Sequence, residues 1–69
     1  MGTESITDVI KEARHRQGWS QADLAGHAGV SRPTVARLEA GQDASMRSLT
    51  AVLSALGLEL NVQALDNQD

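Results

Sequence analysis

Cysteine is absent from this sequence of 69 residues, and Trp19 is its only aromatic residue. Without cysteine a disulfide is excluded, and His15 and His27 offer a structural zinc ion at most two nitrogen ligands. A domain this short buries only about 60% of the surface that its unfolded chain exposes. It often needs a disulfide, a metal or a second subunit to supplement its core. Association with a second subunit is therefore the remaining way to enlarge the buried core.

Long apolar runs and catalytic constellations are absent as well. No apolar stretch reaches the roughly 18 residues of a membrane span, and no basic segment followed by an apolar one stands at the N-terminus. We therefore expect no membrane span, no signal peptide and a cytoplasmic location. Paired carboxylates at a cleft, a nucleophilic cysteine and a glycine-rich phosphate loop are also lacking. We expect no enzymatic activity, no cofactor and no metal ion.

The charged residues are unevenly distributed. Six Lys and Arg against nine Asp and Glu give a net charge of -3, which by itself argues against a nucleic-acid partner. All six bases, however, lie between positions 11 and 47, where four acids accompany them and the net charge is +2. One face of the folded chain can therefore be basic.

Four segments carry the signals of short helices, the first near 6–17. Each begins at a serine, which favours an N-cap, and each ends at a glycine, which favours a left-handed C-terminal turn. Between these signals apolar residues recur with helical spacing. The serine–glycine pairs are Ser5 with Gly18, Ser20 with Gly29, Ser31 with Gly41, and Ser45 with Gly57. The candidate core residues are Ile6, Val9, Ile10, Ala13, Leu24, Ala25, Ala28, Val35, Leu38, Leu49, Val52, Leu53 and Leu56.

After Gly57 the apolar period changes from that of a helix to that of a strand. Leu58, Leu60 and Val62 alternate with polar residues, which predicts a half-buried strand over 58–65. One strand cannot form a sheet within its own chain. The predicted organisation is thus a helical domain at 6–57, a strand at 58–65, and mobile ends at 1–5 and 66–69.

The second and third predicted helices closely resemble the Xre/Cro-type helix-turn-helix domain of phage repressors. The shared elements are Ser-Gln at the start of the second helix, Leu-Ala in its middle, Gly in the turn, Ser-x-x-Thr-Val at the start of the third and Leu-Glu-x-Gly at its end. The resemblance covers residues 6–57. It implies a mainly α, lambda-repressor-like bundle of four or five helices that binds operator DNA as a homodimer.

The run Gly57-Leu58-Glu59-Leu60-Asn61-Val62 is similar to HipB-type antitoxins, which append a strand to the last helix. In that family the strand pairs with its copy in the other subunit. The dimer represses its own operon and holds a HipA-type Ser/Thr kinase toxin inactive. This resemblance implies a C-terminal β-strand that pairs across the dimer, with Leu58, Leu60 and Val62 at the interface.

The resemblance also assigns candidate DNA-binding residues. Arg32 would stand first in the recognition helix, where an arginine can bond bidentately to guanine, and Pro33 would contact a thymine methyl. Gln21 would lie beside a phosphate. For each residue the competing interpretation is a solvated side chain or a plain helix cap. The full set is Gln21, Ser31, Arg32, Pro33, Thr34, Arg37 and Arg47.

Three further residues favour a structural role. The resemblance implies an internal ion pair between Arg14 and Glu39 that fixes the third helix against the first, so neither is counted as a DNA contact. Trp19 follows the glycine that ends the first helix, a position at which sealing the core edge is favoured over stacking on a base.

Three functions stay open at this level. The leading one is a dimeric autorepressor and antitoxin of HipB type, located at the nucleoid. The second is a stand-alone regulator, such as a phage repressor or a restriction-modification controller. The third is a protein-interaction module that has kept the helix-turn-helix shape but lost DNA binding, which the acidic net charge favours slightly.

Overall fold

The computed structural model describes residues 5–59, which fold into four helices. They are α1 (Ile6–Gln17), α2 (Gln21–Ala28), α3 (Arg32–Glu39) and α4 (Met46–Ala55). The predicted bundle of four or five helices is confirmed, with four helices in this range, and residues 5–59 contain no strand. None of these helices combines the length and apolar character that crossing a membrane requires.

Every helix begins after a serine in extended conformation. The serine Oγ accepts a hydrogen bond from the backbone N–H three residues further on, and this satisfies a donor that has no partner within the helix. The pairs are Ser5 with Asp8 at 3.2 Å, Ser20 with Asp23 at 3.0 Å, Ser31 with Thr34 at 3.3 Å, and Ser45 with Ser48 at 3.1 Å. In α2 the Asp23 carboxylate also accepts from the Ser20 N–H at 2.9 Å, which completes a capping box. The four predicted caps are confirmed.

Every helix is followed by a glycine in the left-handed region, with φ between 74° and 76°. The residue after each glycine donates its N–H to the carbonyl five residues earlier, which closes the last turn. Three of these residues, Trp19, Val30 and Leu58, are apolar and pack against the core, whereas Gln42 after α3 is polar. The helix ends therefore supply apolar residues to the core as well as stopping the helices.

The centre of the core takes one fully buried side chain from each helix. Ile10, Leu24, Val35 and Val52 are 0% exposed. Around them lie the other buried apolar residues, Ala25, Leu38, Leu53 and Leu56. Helix α2 packs mainly on α3 and α4, while α1 contacts α3. Ile6 departs from its predicted core position because it is the first residue of α1, at the edge of the bundle, and it stays 43% exposed.

The predicted strand falls mostly outside the described residues. Leu60 and Val62 lie beyond Glu59, as does the C-terminal segment expected to be mobile, and residues 1–4 lie before the described range. Leu58 is in irregular structure and packs, half-buried, against the core of its own chain. Ser5, the last residue of the predicted N-terminal segment 1–5, is the N-cap of α1, as its start signal predicts.

Candidate nucleic-acid interface

Helices α2 and α3 form a helix-turn-helix in which one face of α3 is anchored and the other is free. Val35 and Leu38 hold α3 to the core. On the free face, Arg32, Pro33 and Arg37 are exposed. This division follows from the helical period, because Pro33 and Arg37 are one turn apart on the side away from Val35.

The arginines on this free face have no acidic partner in the part of the chain that the structure describes. Within residues 5–59 the ion pairs join Arg14 to Glu39 and Arg16 to Glu12, and neither Arg32 nor Arg37 takes part in one. Both guanidinium groups can therefore meet an anionic partner without first breaking an internal contact.

The hydroxyls at the start of α3 bond to each other. Ser31 Oγ and Thr34 Oγ1 are 2.9 Å apart, and Ser31 Oγ also accepts from the Thr34 N–H. Either oxygen can be the donor, so one hydroxyl hydrogen is used inside the pair and the other stays available to an external acceptor. Ser31 is therefore a helix cap, and the pair still offers one donor beside Arg32.

Gln21, the first residue of α2, is tied to the end of α3. Its Nε2 donates to Glu39 Oε1 at 3.1 Å. The amide keeps a second N–H and its own carbonyl oxygen for other partners. The sequence placed Gln21 beside a phosphate and gave no sign of this bond, because its two residues belong to helices whose packing the pattern does not specify.

Arg14 and Glu39 form the predicted internal ion pair. Arg14 Nε donates to Glu39 Oε2 at 2.6 Å and Arg14 Nη2 to Glu39 Oε1 at 2.9 Å. The two residues are 9% and 5% exposed. Arg14 Nη1 also donates to the Trp19 carbonyl oxygen at 2.8 Å, so the guanidinium joins α1, the α1–α2 turn and α3. The interpretation of this pair as structural is confirmed.

The network fixes the charge states of both partners. Burial by itself raises the pKa of Glu39, but the hydrogen bonds from Arg14 and Gln21, with the charges of Arg14 and Lys11, outweigh it and lower that pKa below its ordinary value. The hydrogen bond to Glu39 raises the pKa of Arg14. The pair therefore stays ionised at neutral pH.

Trp19 and His27 stack on each other at the surface of α2. Their ring centroids are 4.0 Å apart and the ring planes differ by 12°. Trp19 is half-buried against the core, so its predicted structural role is confirmed. The sequence had assigned no role to His27, which supplies the outer half of the stack.

Arg47 is the second residue of α4 and is exposed, on a different helix from the other candidate arginines. Among residues 5–59 no three His, Asp or Glu side chains come close enough to hold a metal ion. The candidate site thus consists of the free face of α3, the start of α2 and, separately, the start of α4.

A short helix anchored behind a glycine turn, with a free arginine-bearing face, is the arrangement of a helix-turn-helix DNA-binding protein. The comparison with protein families agrees: the profile described as helix-turn-helix matches residues 10–63. The chain belongs to this family, in its Xre/Cro-type branch, and is a DNA-binding transcription regulator. No curated protein matches the chain.

Proposed function

We propose that this regulator is a sequence-specific repressor that binds operator DNA as a homodimer, with α3 in the major groove. The observation that carries the proposal is the free face of α3, where neither Arg32 nor Arg37 forms an ion pair with any residue between 5 and 59. The buried face holds this helix rigidly to the core, so base contacts require little further ordering of the backbone.

Each candidate residue receives a role from its place. Arg32 stands at the N-terminal end of α3 and reads guanine through O6 and N7, while Pro33 packs on a thymine methyl. A neighbouring base or phosphate is within reach of Arg37 and Thr34. The hydroxyl hydrogen that the Ser31–Thr34 pair leaves unused can bond to the same groups. Gln21 uses its second N–H on the DNA backbone, and Arg47 bonds to the backbone or enters the minor groove.

The first test separates base reading from backbone binding. A binding site is selected from random-sequence DNA with the wild-type protein, and binding of the selected and of random duplexes is then measured. Arg32→Ala is expected to cost about 1 to 3 kcal/mol on the selected site and to erase the preference at one base pair. Gln21→Ala is expected to weaken both duplexes alike. Equal losses on both duplexes for Arg32→Ala would contradict the base-reading role.

The finer proposal is an antitoxin of HipB type, supported by the resemblance of residues 57–62 to the appended strand of that family. In this role the dimer represses its own operon and keeps a Ser/Thr kinase toxin of HipA type inactive. Co-expression with the product of the neighbouring open reading frame tests it: a kinase that halts growth alone and is silenced by this chain supports the antitoxin. An adjacent frame without such an effect leaves the stand-alone regulator.

A protein-interaction module that has lost DNA binding is the competing function, favoured by the net charge of -3. Salt dependence distinguishes the two. Neutralising DNA phosphates releases counterions, so specific binding must weaken steeply as salt rises. A wild-type protein that selects no site and shifts no duplex at low salt would favour the interaction module.

A further inference from the structure

An open depression of about 410 Å³ lies where α1, α2 and α3 meet, beside the free face of α3. Its lining residues are Lys11, Arg14, Gln21, Ala36, Glu39 and Ala40. Ala36 lies one helical turn after Arg32 on α3, so the depression adjoins the surface proposed to face DNA. The small side chains of Ala36 on α3 and of Ala40, its C-cap, leave the depression open.

Lys11 dominates the charge of this depression. Arg14 and Glu39 neutralise each other through their two hydrogen bonds. Lys11 forms no ion pair within residues 5–59, and the adjacent acid, Glu12, has its carboxylate 3.9 Å from Arg16. One positive charge therefore remains.

Gln21 adds a directed donor to that charge. Its bond to Glu39 uses one amide hydrogen and limits the rotation of the side chain, and the second amide hydrogen is left over. Lys11 lies close enough to the same carboxylate to contribute to the lowered pKa of Glu39. A cation and a fixed N–H donor thus line one depression, which is the chemistry that a phosphate group requires.

We propose that this depression seats a backbone phosphate of the bound DNA, with Lys11 supplying the charge and Gln21 the directed hydrogen bond. The inference rests on the proposed DNA binding and adds to it a contact from α1, a helix outside the helix-turn-helix. Glu39 acts here as a positioning residue, because it holds the Gln21 amide without touching the DNA.

The test compares two variants that remove the same charge from α1. Lys11→Gln removes the cation of the depression, and Arg16→Gln removes an exposed cation that lies outside it. Binding to the selected site and to a mixed-sequence duplex of roughly 30 base pairs, three helical turns, is measured over a series of salt concentrations. Thermal unfolding followed by circular dichroism checks that both variants fold like the wild type.

Lys11→Gln is expected to reduce the slope of log affinity against log salt by about 0.9 for each subunit bound, equally on both duplexes, because one phosphate contact is lost. Arg16→Gln is expected to keep the wild-type slope. Equal slope changes in the two variants would show that only the overall positive charge of α1 matters, and they would overturn the proposed phosphate site. A wild-type slope in Lys11→Gln would overturn it too, while leaving the proposed DNA binding intact.

Two further measurements narrow the assignment. If Lys11 and Gln21 hold the same phosphate, the loss in the Lys11→Gln, Gln21→Ala double variant is smaller than the sum of the single losses, and strict additivity would overturn the shared seat. Inorganic phosphate at matched ionic strength should compete no better than chloride. Binding of phosphate that depends on Lys11 but leaves the affinity for DNA unchanged would assign the depression to a free anion and overturn the DNA contact. A wild-type protein that binds no DNA would remove both the seat and the proposed function.

Discussion

Two buried side chains, Arg14 and Glu39, connect α1, α2 and α3 on the side of the molecule where DNA is proposed to bind. Arg14 reaches the Trp19 carbonyl oxygen as well as Glu39, and Glu39 also accepts from Gln21. Removing one partner would leave the other charge buried without compensation, whereas removing both would leave apolar neighbours in contact.

The first prediction concerns this pair. Arg14→Met is expected to lower the free energy of unfolding by about 3 to 5 kcal/mol, because Glu39 would be left charged and buried. A chain of this length has only about 3 to 10 kcal/mol in total, so the variant should be largely unfolded in mild urea. Urea unfolding followed by circular dichroism measures the change.

The double variant Arg14→Met, Glu39→Leu is the matched control. It strands no charge, so it should recover most of the lost stability. A double variant no more stable than Arg14→Met would contradict the argument that the stranded charge causes the loss.

The second prediction is an acid limit to stability. The folded-state pKa of Glu39 lies below its ordinary value of 4.5. Near that value the unfolded chain binds more protons than the folded one, so Glu39 contributes its full stability above about pH 4.5 and loses it as the pH falls toward the lowered value. Asp23, whose pKa the Ser20 hydrogen bonds also lower, acts in the same direction. Unfolding free energies measured from pH 7 downward should stay level to about pH 5 and then fall; a maximum in the acid range would contradict this.

At the scale of the residue, the sequence predicts the roles of single residues better than it predicts the contacts between side chains. The Arg14–Glu39 pair followed from a family resemblance that fixes both positions. The bond from Gln21 to Glu39 and the stack of Trp19 on His27 depend on how neighbouring side chains orient once the helices have packed. The sequence pattern does not specify how these side chains are oriented, so neither contact could be predicted from it.

At the scale of the helix, Gly26 inside α2 and Gly29 at its C-terminal end test the effect of backbone conformation in opposite directions. Gly26 lies inside α2 without a positive φ, whereas Gly29 has φ +74° just after it. A Cβ added at either position meets nothing within 4 Å. The conformation of the backbone therefore decides the outcome in both cases, and packing does not.

The third prediction follows from this pair. Gly26→Ala is expected to raise the free energy of unfolding by about 0.5 to 1 kcal/mol, because alanine costs less entropy in a helix. Gly29→Ala is expected to lower it by about 1 to 2 kcal/mol, because alanine is strained in the left-handed region. Thermal unfolding of the two variants beside the wild type measures both changes, and shifts of the same sign would contradict the prediction.

Helix limits were predictable here because their causes are local. A serine oxygen three residues from its N–H partner and a glycine at the last turn act within a few positions of the chain. Ile6 shows where this reasoning ends: its spacing fits the apolar stripe of α1, but its burial depends on what the other helices cover.

At the scale of the whole molecule, the proposed dimer is best tested at Leu60. Leu58 already packs against the core of its own chain, so a change there would alter folding and association together. Leu60 and Asn61 lie on opposite faces of the strand predicted for 58–65. They form a matched pair for the same substitution.

The fourth prediction is that Leu60→Lys yields a monomer that binds half-sites weakly, because a charge would be buried where the predicted C-terminal strands of two subunits pair. Asn61→Lys, on the solvent face, should remain a dimer with near wild-type affinity. Sedimentation velocity gives the oligomeric state and duplex titration the affinity. A Leu60→Lys protein that still sediments as a dimer would place the interface elsewhere.

The single tryptophan gives this molecule an optical signal of its own. The indole of Trp19 lies against the imidazole of His27. The backbone carbonyl oxygen of Trp19 accepts a hydrogen bond from Arg14. Indole emission depends on contact with a neighbouring ring and on exposure to water, so opening of the junction between α1 and α2 should change both its intensity and its wavelength. The folding of this junction can then be followed in real time without attaching a dye.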